Sequence, residues 1–245
     1  MTLRGSLLVA AAAAWLNGGV IALGQERSAV TDGEPAPAAL APVSVPLNQE
    51  RILKIIPDYQ TVQDTSRLIA PLTSRQKWNL AWWEATDPFN IGSAAMTAAF
   101  SQRDNQTPKY GEGWPNYGRR FGAAIADSAT QSIFSAGLFA TLLRQDPRYF
   151  RKGPGYGILP RAVYSVTRLF VGRNDAGRHV FNSPNLLGMG AGIAASNLYY
   201  PSASRTGTVM AGRLETSLLG GLTGNLMSEF WPDVQRKLFH RKPKN

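Results

Sequence analysis

The chain has 245 residues, of which 44% are hydrophobic, so it is long enough to bury one sizeable core. It contains no cysteine, which excludes disulfides, a thiol nucleophile and thiolate metal sites. Its formal net charge of +10 points to anionic lipid or another anionic polymer of the cell envelope, and no nucleic-acid partner is expected if the protein is exported.

The first 24 residues have the pattern of a secretory signal peptide. Arg4 supplies the positive charge, Leu7 to Leu16 the apolar stretch, and Ala22-Leu23-Gly24 a small-residue cleavage site. An uncleaved membrane anchor is the alternative, but Asn17 and two glycines interrupt the apolar run. We therefore predict an exported protein, either periplasmic or associated with an envelope membrane.

Composition divides the rest of the chain into three parts. Prolines and alanines dominate the segment after the signal peptide and favour extended, poorly packed backbone. Basic side chains crowd the last ten residues and suit either a solvated tail or a surface anchor. The predicted organisation is a signal peptide over residues 1–24, a Pro/Ala-rich tether over 25–50, a helical domain over 51–235 and a basic tail over 236–245.

Apolar spacing and capping residues predict helices along most of the domain. In chain order the predicted helices cover residues 74–86, 88–102, 121–143, 160–171, 184–199 and 206–231. Residues 51–57 are interpreted as an extended strap, and the polar segments 103–117 and 168–185 as loops. Pro232 is expected to end the last helix. The predicted fold is an all-α, compact bundle of about five or six helices.

Three of these helices carry a small residue at every fourth position. The small rows are Ala124, Ser128, Ser132, Ala136 and Ala140; Gly188, Gly192 and Ser196; and Gly212, Thr216, Gly220, Gly224 and Ser228. Residues four apart share one helix face, so the rows predict close small-xxx-small packing between helices, in water or in lipid. Each glycine costs about 1 kcal/mol against alanine in a helix interior, so Gly220 and Gly224 are expected to face a close neighbouring helix, either 121–143 or 184–199.

Three short phrases carry a resemblance to a known group of sequences. They are Asp-Pro-Arg-Tyr-Phe-Arg at 146–151, Ser-Asn-Leu-Tyr-Tyr-Pro at 196–201, and Glu-Phe-Trp-Pro-Asp-Val at 229–234 followed by Arg-Lys-Leu-Phe at 236–239. Together they resemble those of an uncharacterised group of exported bacterial helical proteins. The resemblance implies export and a helical domain, and it brings no established activity.

A partial resemblance links the chain to the membrane-bound phosphatidic-acid phosphatase superfamily. That helical fold uses a basic motif, a Ser-Gly-His motif and a Ser-Arg…His motif on phosphate. Here Asn182-Ser183-Pro184-Asn185 lacks the glycine and histidine, and Ser204-Arg205 is followed only by His240 in the tail. The residues that would carry this chemistry are therefore missing.

The densest cluster of chemical groups lies between residues 168 and 185. Asp175 precedes His179 by four residues, and Arg173 and Arg178 flank them, so a carboxylate-oriented histidine with a phosphate clamp is one interpretation. Salt bridges that tie helices together need the same residues and are the alternative. With two histidines and no metal-ligand spacing, the sequence predicts no metal and no cofactor.

These patterns favour a binding protein over an enzyme. We expect an exported, envelope-associated protein that binds lipid or a membrane partner without catalysis, with a homo-oligomer or another envelope protein as further possible partners. Asp127 is expected to pair with Arg213 across two polar stripes. The candidate ligand-binding residues are Asp127, Arg213, Arg148, Arg168 and Asn182. The alternative is a lipid-phosphate or other hydrolase that uses His179 as acid or base.

Overall fold

The computed structural model of the chain describes residues 51–52, 56–57, 60–63, 69–103 and 105–239. The predicted signal peptide and tether, and most of the predicted basic tail, lie outside the described residues. The chain is mostly helical, which confirms the prediction of an all-α bundle of about five or six helices. Within the described part of the chain, no helix combines the length and the apolar character needed to cross a membrane.

Helices occupy most of the described chain. They are α1 (Ser74–Thr86), α2 (Pro88–Arg103), α3 (Trp114–Ser132), a π-helical segment (Ile133–Phe139), α4 (Ala140–Leu142), α5 (Ile158–Thr167), α6 (Ser183–Ser196), a 3₁₀ turn (Ser202–Ser204) and α7 (Gly207–Phe239). The strands are β1 (Arg51–Ile52), β2 (Ile56–Pro57), β3 (Thr61–Val62), β4 (Gln145–Asp146), β5 (Tyr149–Phe150), β6 (Val171–Asn174) and β7 (His179–Phe181). The predicted boundaries of α1, α2 and α6 therefore agree with the structure to within a few residues.

A capping box fixes the start of α1. The Thr73 hydroxyl accepts a hydrogen bond from the Gln76 amide at 3.3 Å, and the Gln76 side chain accepts one from the Thr73 amide at 2.9 Å. Two amides that would lack partners at the helix end are thereby satisfied.

The long central helix begins earlier than the predicted residue 121. It starts at Trp114 because Pro115 occupies its first turn, where a missing amide costs no hydrogen bond. The loop before it is held by Arg120, which is fully buried and donates to the carbonyls of Gln106 at 2.7 Å and Gly111 at 3.1 Å. The side chain of Asn105 also accepts from this guanidinium at 2.5 Å.

The segment 168–185, predicted as a loop, contains a β-hairpin instead. Strands β6 and β7 pair antiparallel with Val171 opposite Phe181, and β4 pairs with the other edge of β6. Asn174 closes the turn, because its side chain accepts from the amides of Ala176 and Arg178, and Gly177 adopts a φ of 77° that suits glycine. This strand pairing also explains why the preceding helix ends at Thr167, short of the predicted residue 171.

Helix α5 has its polar side inside and its apolar side outside. Arg161 and Ser165 are buried against α7, whereas Leu159 and Val163 are 73% and 55% exposed. Leu159, Val163 and Val166 share one helix face and form what we call the outer face of α5. Charged groups thus replace aliphatic ones at the contact between α5 and α7.

Pro232 does not end α7, contrary to the prediction. The helix continues to Phe239, because neighbouring side chains hold the chain on both sides of the proline. The guanidiniums of Arg151 and Arg161 donate to the Glu229 carbonyl at 2.8 Å and 2.6 Å, and both also bind the Asp233 carboxylate. The pKa of Asp233 is lowered to about 2 by these guanidiniums, which outweigh the effect of burial.

The small row of α6 packs as the sequence predicts. A Cβ atom added at Gly188 would lie 2.5 Å from the Cβ atom of Ser135, and one at Gly192 would lie 3.5 Å from Gln131. Because the backbones approach this closely, α6 lies against the end of α3 and the π-helical segment.

The prediction that Gly220 and Gly224 press against a neighbouring helix is wrong. A Cβ atom at either position, or at Gly212, would meet no heavy atom of the described residues within 4 Å. The adjacent Gly221 makes the close approach, since its added Cβ atom would lie 2.9 Å from the side chain of Leu169. The small row of α7 therefore has no closely packed neighbour at these three glycines among the described residues.

Candidate functional site

The small rows of α3 and α7 line one cavity, which we call the central cavity. Its volume is about 800 Å³, a size typical of small-molecule sites. The wall residues from these two rows are Ala124, Ser128 and Ser132 on α3, Ala136 on the π-helical segment that continues it, and Gly220, Gly224 and Ser228 on α7. Small side chains on both helices leave space between them, so these rows create volume where the sequence predicted contact.

Two arginines lie at the hairpin end of the central cavity. Arg168 stacks on Tyr164 at 4.7 Å from guanidinium carbon to ring centroid, and Arg173 stacks on Phe150 at 4.3 Å. Among the ion pairs of the described residues, none contains Arg168 or Arg173. The Nε atom of each is buried without a hydrogen-bond partner in the described part of the chain. Burial lowers the pKa of Arg168, and the like charge of Arg173 lowers it further.

Amide side chains stand beside these arginines. Asn182 and Asn185 line the same end of the cavity, and Asn182 donates to the Arg168 carbonyl at 3.2 Å. Gly172 leaves room for Asn182, since a Cβ atom there would lie 3.4 Å from the asparagine side chain. Guanidinium and amide donors together form the kind of group that recognises phosphate or carboxylate.

Glu84 is a buried acid on another wall of the central cavity. Burial raises its pKa to about 8, although a hydrogen bond with Ser132 opposes the rise. Its Oε1 atom has no hydrogen-bond partner among the described residues. At neutral pH this side chain is therefore mostly protonated and offers a neutral donor and acceptor to the cavity.

Replacing Glu84 with glutamine is expected to remove a loss of stability that develops between pH 4.5 and about pH 8. The unfolded carboxyl group releases its proton near 4.5, whereas the folded one holds it up to about 8. Since the folded state binds the extra proton in this window, the free energy of unfolding falls as the pH rises through it. Urea unfolding across this pH range should give a flatter profile for Glu84→Gln. The exposed Glu215→Gln is the control, and a Glu84→Gln profile parallel to that of the parent would contradict the prediction.

Asp127 lies between the central cavity and a second cavity of about 730 Å³. Its carboxylate accepts hydrogen bonds from the hydroxyls of Tyr199, at 2.6 Å, and Tyr200. Arg213 reaches it at 3.1 Å, stacks on the Tyr200 ring and donates to Ser196. The predicted pairing of Asp127 with Arg213 is therefore present in the structure.

The two tyrosine hydroxyls of this cluster keep their protons and donate hydrogen bonds to Asp127. Burial first, and the nearby Asp127 carboxylate second, raise the pKa of both Tyr199 and Tyr200. With three donors on one carboxylate, Asp127 ties α3, α7 and the end of α6 together and separates the two cavities.

Of the residues predicted for catalysis, Arg173 stands opposite His179 in the strand register, whereas Asp175 is bound to another partner. Asp175 forms an ion pair with the buried Lys77 at 2.8 Å, and His179 and Arg178 lie exposed on the hairpin. Partial desolvation lowers the pKa of His179, and the charges of Arg168 and Arg173 add to this effect. Of this group, only Arg173 lines the central cavity.

The candidate ligand-binding residues divide in a similar way. Arg168, Asn182 and Asp127 line the central cavity, while Arg213 lines the second one. Arg148 also reaches the wall, but its guanidinium is buried and bound to Asp146 at 2.6 Å.

Sequence reasoning missed Lys77 and Glu84, which the structure buries on α1. The signal was their helical spacing with Leu80 and Ala81, since these four residues form the buried face of α1. Among the residues that the structure describes, no group of three or more acidic or histidine side chains could hold a metal ion.

No family model, curated protein or solved structure matches the chain. The resemblance to an uncharacterised exported group therefore stays a prediction. Any functional conclusion rests on the geometry of the cavities and on the surface chemistry.

Proposed function

We propose that the protein is exported to the cell envelope and binds there, without catalysis, a ligand with an acidic head group and an acyl chain. The observation that carries this proposal is the pair Arg168 and Arg173 at the central cavity, because neither guanidinium has a carboxylate partner among the described residues. Both guanidiniums are half-buried and stack on aromatic rings, so an anionic ligand would add the charged partner that the described residues do not supply.

The head group would lie against the two arginines and the amide of Asn182. An acidic head group accepts charge-assisted hydrogen bonds, which are about twice as strong as neutral ones. The buried Nε atoms, which lack acceptors in the described part of the chain, would gain them from such a ligand.

The acyl chain would follow the small rows of α3 and α7. Alanine, glycine and serine leave room for it there, and Phe89, Leu169 and Met227 add larger apolar surface. The serine hydroxyls of the rows also line this wall, so the acyl chain would contact apolar and polar groups.

Calorimetric titration with palmitoyl lysophosphatidic acid tests the proposal. Replacing both Arg168 and Arg173 with glutamine is expected to weaken binding by about tenfold or more, because hydrogen bonds to charged groups contribute about 1.5–3 kcal/mol each. Gly224→Leu, which places a large side chain in the cavity, should weaken binding to a similar extent.

The controls test separately how much the head group, the acyl chain and general positive charge contribute to binding. Arg178→Gln removes an exposed positive charge from the hairpin and should leave the affinity unchanged. Palmitoyl lysophosphatidylcholine has the same chain with a zwitterionic head group and should bind more weakly, while palmitate and inorganic phosphate test each part alone. Equal binding of lysophosphatidic acid by the parent and the double glutamine variant would overturn the proposal.

A further inference from the structure

The β6–β7 hairpin follows α5 in the chain and, like α5, exposes apolar side chains. Phe170 lies three residues after the end of α5, and its carbonyl accepts from the Asn182 amide at 2.8 Å, so β7 ends beside the turn that leaves α5. Phe181 is 58% exposed and stands opposite Val171 in the strand register. We call the exposed apolar side chains of α5, this turn and the hairpin the α5 patch (Leu159, Val163, Val166, Phe170 and Phe181).

Contacts on the opposite face of α5 keep its outer face turned away from the protein interior. Arg161 is bound through its Nε atom to the fully buried Glu229 at 2.8 Å, and its Nη2 atom reaches Asp233 at 2.6 Å. The Ser165 carbonyl accepts from Asn225 of α7 at 3.2 Å. Turning the apolar face of α5 inward would break all of these contacts, so this face stays at the surface of the described part of the chain.

The charge around the α5 patch indicates which kind of partner would bind there. Residues 152–182 contain five basic side chains and one acidic side chain: Lys152, Arg161, Arg168, Arg173, Arg178 and Asp175. The one acid is held by Lys77, which lies outside this segment, at 2.8 Å. Arg161 is paired with Glu229 and Asp233 of α7, and Arg168 and Arg173 line the central cavity, so the half-buried Lys152 and the exposed Arg178 supply the positive charge at the surface. An apolar face with a surplus of positive charge and aromatic side chains is the pattern of a surface that lies in the interface of an anionic membrane.

We propose that the α5 patch docks the protein on the surface of a bilayer that contains anionic lipid. Leu159, Val163 and Phe181 enter the boundary between head groups and acyl chains, and the exposed Arg178 lies at head-group level. The inference deepens the proposed role at the envelope, but it does not depend on any ligand in the central cavity.

Vesicle flotation tests this surface. The full sequence is expressed, and the protein is purified in the form that the cell produces from it. It is then floated with vesicles that contain phosphatidylcholine and phosphatidylglycerol in equal parts. The triple variant Leu159→Ser, Val163→Ser and Phe181→Ser is expected to lower the partition coefficient by about tenfold or more, because three apolar side chains no longer enter the interface.

A matched variant controls for the general loss of exposed apolar side chains. Phe100→Ser with Leu198→Ser removes two side chains that are 66% and 86% exposed but lie outside the patch, and this variant should float like the parent. Raising the salt concentration, or omitting phosphatidylglycerol, should weaken flotation of the parent. Circular dichroism of each variant checks that the fold is retained.

Two outcomes would overturn the docking proposal. One is flotation of the triple variant equal to that of the parent. The other is a parent protein that is dimeric in solution and a triple variant that is monomeric, with equal flotation of both. In that case a second copy of the chain would cover the patch. Gly224→Leu distinguishes the two proposals, because it should lose lysophosphatidic acid binding and keep vesicle binding.

Discussion

Replacing Glu229 with alanine is expected to lower the free energy of unfolding by about 3–5 kcal/mol, the usual cost of breaking a buried ion pair from one side. Glu229 is fully buried, and its carboxylate accepts four hydrogen bonds. The donors are the Tyr149 hydroxyl at 2.9 Å, the Lys152 and Gly153 amides at 2.9 Å each, and Arg161 Nε at 2.8 Å. The substitution would leave these donors buried without their acceptor.

Urea unfolding followed by circular dichroism measures this loss. Glu215→Ala is the matched control, because Glu215 lies exposed on the same helix and its removal should change stability by less than about 0.5 kcal/mol. A loss for Glu229→Ala no larger than that of the control would mean that the network does not hold α5 and α7 together.

Replacing Gly188 with alanine is expected to destabilise the protein, although alanine is the better helix former. The added Cβ atom would lie 2.5 Å from Ser135 Cβ and 2.8 Å from the Ser135 backbone, so α6 must move away from the π-helical segment. Overpacking of this kind costs about 1–3 kcal/mol, which exceeds the gain of about 1 kcal/mol in helix propensity at the upper end of that range. Thermal or urea unfolding of the variant checks the sign.

Gly190 provides the opposite case on the same helix. A Cβ atom there would meet nothing within 4 Å among the described residues, so Gly190→Ala should stabilise the protein by up to about 1 kcal/mol. If both alanine variants raised stability, helix propensity alone would account for the effect of these glycines of α6.

Helix positions were predictable because their signals are local. The capping residue Thr73 and the apolar spacing of α1 depend only on neighbours in sequence, and the structure confirms this helix. The pairing of Asp127 with Arg213 was also predictable, because polar stripes on two helices leave few alternative partners.

The errors arose where distant residues decide the outcome. Pro232 should end a helix on local grounds, but Arg151 and Arg161 support the chain around it from other elements. The rows of small residues were ambiguous for a similar reason. A small side chain permits close packing or leaves a cavity, and only the position of the next helix decides between them, as the contrast of Gly188 with Gly224 demonstrates.

The candidate site was predictable in part. The sequence predicts Arg168, Arg173 and Asn182 as candidate site residues because they lie in one dense polar segment. The structure places all three at the central cavity. The buried Glu84 was not recognised, because its environment depends on how α3 crosses α1, and sequence spacing does not specify that crossing.

The π-helical segment has a geometric consequence for the row on α3. An α-helical turn holds 3.6 residues, so a row spaced by four drifts around the helix axis by about 40° at each step, or about 80° from Ala124 to Ser132. In the segment Ile133–Phe139 hydrogen bonds span five residues, each residue turns the chain less, and the drift reverses. Ala136 thereby returns to the azimuth of the residues before it. The wider winding of this segment therefore sets the angular phase of the cavity wall at Ala136.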